Sequence, residues 1–105
     1  MAGIFDQILE AIRALIAPKP MSEADLTLQF DKQAEGTGLN WRESVVDFLT
    51  LLRIDASAEN REALCEELGV MAGQVGSAER NEGLRKAVFN KIALNGGDIP
   101  ASLRD

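Results

Sequence analysis

Hydrophobic positions along the chain recur at helical spacing, and the clearest run comes first. Over residues 3–17, Ile4, Phe5, Ile8, Leu9, Ile12, Leu15 and Ile16 share one helical face, while Asp6, Glu10 and Arg13 lie away from it. Pro18-Lys19-Pro20 then ends the helix and stiffens an extended segment. Ser22 is a candidate cap for a second helix over about 23–35, with Leu26, Phe30 and Ala34 inward and Gly36-Thr37-Gly38 as its stop. Asn40 and Glu43 have capping-box spacing for a third helix reaching Arg53, striped by Trp41, Val45, Phe48 and Leu52. Val46, Leu49 and Leu51 widen that stripe, which marks a central helix. Ser57 caps a fourth helix over 58–68 that Gly69 stops, with Leu64 and Leu68 inward. The glycine-rich stretch 69–76 is a loop. Ser77 opens a fifth helix over 78–95, with Leu84, Val88 and Ile92 as core stripe and Asn95-Gly96-Gly97 as terminator.

No strand pattern and no internal repeat interrupts this series, so the fold expected is all-α: a small orthogonal bundle of about four helices with an additional N-terminal amphipathic helix. Three segments are expected: a docking helix over 1–17, a proline linker over 18–21 and a helical domain over 22–105 that closes its own core.

Composition narrows the chemistry. The 105 residues include 17 acidic and 11 basic side chains, no histidine and one cysteine. Without histidine there is no imidazole base or ligand, and a lone cysteine excludes a disulfide framework and multi-cysteine metal sites. A net charge of −6 argues against nucleic acid as a partner. No signal peptide or membrane-spanning run is apparent, and a cytoplasmic address is expected.

Individual candidates read as structural. Cys65 lies among Glu62, Glu66 and Glu67, which disfavour a thiolate. Asp55, Ser57, Glu59 and Glu66 imitate a calcium loop without its turn glycine, since Asn60 occupies that place. Glu43 and Asp47 form an i, i+4 carboxylate pair that reads as a solvated face. Gly73 to Ser77 resembles a phosphate-binding turn but lacks the strand and lysine of one. Arg80, Arg85, Lys86 and Lys91 give the fifth helix a modest basic excess, and Trp41 reads as a core anchor.

Residues 39–53 and 57–69 resemble a bacterial family known as domain of unknown function 3597. Trp41, Arg42, Ser44, Val46, Asp47, Leu51 and Leu52 fit its first motif. Arg61, Leu64, Glu67, Leu68 and Gly69 fit the second, and Asn95, Gly96, Gly97 and Pro100 the last. Its third motif matches at Ser77, Ala78, Asn81 and Leu84, but the tryptophan and histidine of that motif fall at Gly83 and Arg85 here. The resemblance supports the helical fold and carries no activity.

The function expected is a non-enzymatic interaction module without cofactor, metal or small-molecule substrate. It would dock on a protein partner or self-associate through Ile4, Phe5, Ile8, Leu9, Ile12, Leu15 and Ile16. The alternative is a peripheral membrane-surface protein using the same helix. The plainer reading of that helix is packing against the protein's own core, since short isolated helices are marginal in water.

Overall fold

A computed structural model of the protein describes residues 3–105. Six α-helices and no strand are found among these residues. They are α1 (Ile4–Ile16), α2 (Leu26–Ala34), α3 (Val45–Leu51), α4 (Ala58–Leu68), α5 (Ala78–Leu94) and α6 (Ala101–Arg104). The radius of gyration is 12.9 Å, against about 13 Å for a single compact domain of this length.

Where caps were legible, the helices follow them. Ser57 accepts a hydrogen bond from the Asn60 N–H, and Gly69 closes α4 with φ 72°. That is the left-handed conformation a side chain would disfavour. Ser77 likewise accepts from the Arg80 N–H at the head of α5.

Two helix starts differ from expectation. A short 3-10 turn occupies Met21–Glu23, and Asp25, not Ser22, caps α2 by accepting from the Leu28 N–H. In α3 the cap is Ser44, which accepts from the Asp47 N–H. Asn40 instead donates its backbone N–H to the Asp47 carboxylate and its side-chain amide N–H to that of Glu43. The reason is Trp41. Its ring, 2% exposed, packs against Phe30, Phe48 and Phe89 at centroid distances of 5.0, 6.4 and 5.9 Å. Its indole N–H donates to Asp31, which also pairs with Arg42. Burying the indole on a non-helical turn satisfies its one donor and delays the helix by four residues.

The helix α1 corrects the expectation of a free docking segment. Phe5, Ile8, Leu9, Ile12 and Ile16 are all buried, Ile8 and Ile12 completely, in one core with the residues of α2 to α5. Ile4 and Leu15 are half-buried against it. The prolines end α1 as expected, yet they turn the chain instead of uncoupling it. Met21 and Ala24, just beyond, are buried in the same core. No boundary at 18–21 therefore divides the core. Five such side chains contribute roughly 1.5–3 kcal/mol each when fully buried. That gross gain is of the same order as the roughly 5–15 kcal/mol net stability of a whole domain.

A polar clamp reinforces the docking. Glu67 on α4 accepts from the Ile4 N–H at 2.8 Å and the Phe5 N–H at 3.2 Å, filling two orphan donors at the head of α1. A Cβ at Gly3 would lie 2.8 Å from the Glu67 carboxyl carbon, so glycine there leaves room for the clamp.

Candidate functional site

The densest cluster of reactive groups lies between α4 and α5. Cys65, 2% exposed, lines a small cavity with Ala58, Arg61, Glu62, Gly76, Arg80 and Asn81. The cavity measures about 10 Å³, at most the space of one water. Arg80 grips Glu62 through two hydrogen bonds of 2.6 and 2.8 Å, and its Nη1 also reaches the carbonyls of Ala72 and Gly73. Arg61 donates to the Asn81 side-chain oxygen at 2.8 Å and to the Ala56 carbonyl.

Electrostatics here correct the picture of a cysteine among carboxylates only. Arg80 and Arg61 also flank Cys65 and favour its thiolate, while burial disfavours it more. The net effect raises the thiol pKa. Glu62 shifts down, chiefly because Arg80 donates to it. A protonated, enclosed thiol and a saturated ion pair make this cluster a lock between α4 and α5. The sequence places Arg80 only in the basic excess of the fifth helix, because nothing local marks a residue fifteen positions on, across a loop, as a neighbour of Cys65.

The other candidates are dispersed into local roles. Both Asp55 carboxylate oxygens accept from Ser57, and the Asp55 carbonyl accepts from the Asn60 side chain. Glu59 and Glu66 stand exposed on α4. No group of three or more potential metal ligands forms among the described residues. In the glycine turn, the Ser77 hydroxyl is committed to capping α5. The basic excess of α5 is largely engaged internally. Arg80 holds Glu62, Arg85 pairs with Glu82, and the Lys91 ammonium sits 5.0 Å from the Phe5 ring.

Gly83 and Arg85 both lie on α5. A Cβ on Gly83 would meet Ala72 and Val70 at 3.3 and 3.4 Å, so the α4–α5 loop lies close over this point. Arg85, 7% exposed, donates to the Leu103 carbonyl at 3.3 Å, and Asn90 donates to that of Arg104. These bonds fasten α6 to α5.

Four open surface depressions remain, the smallest of them, about 250 Å³, between Glu43–Val46 and Ala78, Asn81 and Glu82. One, about 290 Å³, runs between Ala11, Ala14 and Leu15 of α1 and Leu51, Leu52 and Arg53, with Gln33 at its edge. A second, about 320 Å³, is lined by Glu67, Leu68, Ala87, Asn90, Lys91 and Leu94. A third, about 440 Å³, is lined by Ala58, Ala63 and Val75 together with Glu59, Glu62 and Glu66. Val75 is 69% exposed, Leu94 85%.

Fold and site thus define a small all-helical domain whose buried side-chain polar atoms all have hydrogen-bond partners among the described residues. The chain belongs to the family described as Domain of unknown function (DUF3597), which matches residues 9–100. No curated protein and no solved structure shows a significant match. No helix among the described residues is long and apolar enough to cross a membrane.

Proposed function

We propose that the protein is a non-enzymatic protein-interaction module of a bacterial cytoplasm, a bundle of α2 to α5 closed by the N-terminal helix. Its contacts are made by surface depressions, not by the stripe of α1. The supporting observation is the groove along α4, where Val75 stays 69% exposed beside Ala58 and Ala63. A large exposed side chain within an apolar depression is a better contact candidate than one standing alone. The membrane-surface alternative needs Ile8 and Ile12, both fully buried, to leave the core.

The reading is tested by photo-crosslinking in the native cell from single positions in the full chain. Position 75 should yield a discrete protein adduct, whereas exposed Lys32 should not. Equal adducts from both positions, none from 75, or sedimentation of the protein with anionic vesicles would overturn it.

A further inference from the structure

We propose that Asn95 is a spontaneous deamidation site that the end of α5 holds shut while the chain is folded. Of the asparagines in the sequence, Asn95 alone precedes a glycine. With no Cβ beside it, the Gly96 backbone nitrogen is open to close approach. In the reaction, that nitrogen gives its proton to base and bonds to the Asn95 side-chain carbonyl carbon. The bond from that carbon to the amide nitrogen breaks, and ammonia leaves, taking a proton from solvent in place of the one Gly96 gave. Water then opens the five-membered ring at either carbonyl. The product is aspartate, or its isomer with the backbone routed through the side chain. The net change consumes a water and releases an ammonia, with no oxidant or reductant.

Two contacts block this step in the folded chain. The Gly96 N–H donates to the Ala93 carbonyl at 3.1 Å, which holds its proton in place. The Asn95 side-chain amide donates to the Lys91 carbonyl at 2.8 Å, which ties the side chain back to α5. Asn95 itself stands exposed, so water reaches it and only these bonds protect it. Opening the turn is costly, because the chain beyond it is anchored. The Gly97 N–H donates to the Ile92 carbonyl at 3.0 Å. Gly97 is buried where a Cβ would lie 2.7 Å from Ile92 and 2.8 Å from Leu26. Ile99, just beyond, is 3% exposed in the core. The turn therefore opens together with the packing of α5 on Leu26, not by fraying alone. Conversion also weakens the cap it escapes from. Aspartate cannot donate to the Lys91 carbonyl and sets a negative charge at the negative end of α5. The isomer lengthens the backbone directly before the tightly fitted Gly97.

The test incubates the full chain in mildly alkaline buffer, with and without denaturing urea, and follows peptide masses over time. Trypsin releases Ile92–Arg104, whose gain of a single mass unit and separately eluting isomer report conversion at Asn95. In the unfolded chain Asn95 should convert before every other asparagine. In the folded chain it should convert about tenfold more slowly or less. That slowing should track the hydrogen-exchange protection of the Gly96 amide, because the same opening frees both. Asn95→Asp, which imitates the product, should unfold at lower urea than wild type. Equal rates in the two conditions, or another asparagine converting first in urea, would overturn the proposal. So would slow conversion beside a freely exchanging Gly96 amide, or an Asn95→Asp variant as stable as wild type.

Discussion

Ile8→Ala measures most directly whether α1 belongs to the core. Ile8 is 0% exposed and lies midway along the buried stripe. The substitution deletes three carbons, worth roughly 0.8 kcal/mol each as lost burial. A cavity then adds to that loss, because close neighbours relax only partly. A total of about 3–4 kcal/mol follows, within the usual range for Ile→Ala in a core. With a urea m-value of about 2 kcal/mol/M, the unfolding midpoint should fall by about 1.5–2 M. Half-buried Leu15 is the internal control, and Leu15→Ala should cost less than half as much. Urea melts followed by circular dichroism give both numbers. Removing residues 1–20 should leave the remaining chain unfolded or molten, because its core would be open on one side. A midpoint shift below about 0.3 M for Ile8→Ala at unchanged m would refute the reasoning. So would a cooperatively folded 21–105 fragment. Either result would return α1 to the status of a separable docking helix.

Three further expectations follow from particular contacts. Gly3→Ala should destabilise by about 1 kcal/mol in the parent, because Glu67 must swing away, yet be near neutral in Glu67→Ala. A denaturation double-mutant cycle should show coupling of about 1 kcal/mol. Native Cys65 should label slowly at neutral pH, its rate tracking unfolding as urea is added, since burial raises its thiol pKa. Rapid labelling in the native state would contradict the lock between α4 and α5. Glu62 has a folded pKa depressed by Arg80, so its stabilising contribution is present above the unfolded value of about 4.3 and lost as pH falls through the folded one. Urea midpoints should therefore separate wild type from Glu62→Gln at about pH 6–7 and converge in stronger acid; a gap independent of pH would refute this.

Helix identity and most helix ends were legible locally. Ser57, Ser77 and Gly69 act through bonds or backbone angles spanning a few residues, so their types announced α4 and α5. The third-helix cap was misread because Asn40 and Glu43 have the right spacing, while Trp41 draws the intervening turn toward Phe30 and Phe89. That pull is a tertiary contact. Arg85 counts in the modest basic excess of the fifth helix but is buried between Glu82 and the Leu103 carbonyl. Nothing in its neighbourhood along the chain distinguishes it from Lys86.

By itself, the sequence determined the all-helical character, the apolar face of each long helix, and the absence of histidine and paired-cysteine chemistry. These properties follow from periodicity, capping and composition, which act at short range or need no geometry. Only the tertiary structure decided what each face meets. The stripe of α1 would look the same whether it met a partner, a lipid surface or its own domain, because burial is non-directional. What settles the matter is the return of the chain at Met21 and Ala24 and the reach of Glu67 to the Ile4 and Phe5 amides. Both bring together groups far apart in sequence, and such pairings exist only once the chain has closed on itself.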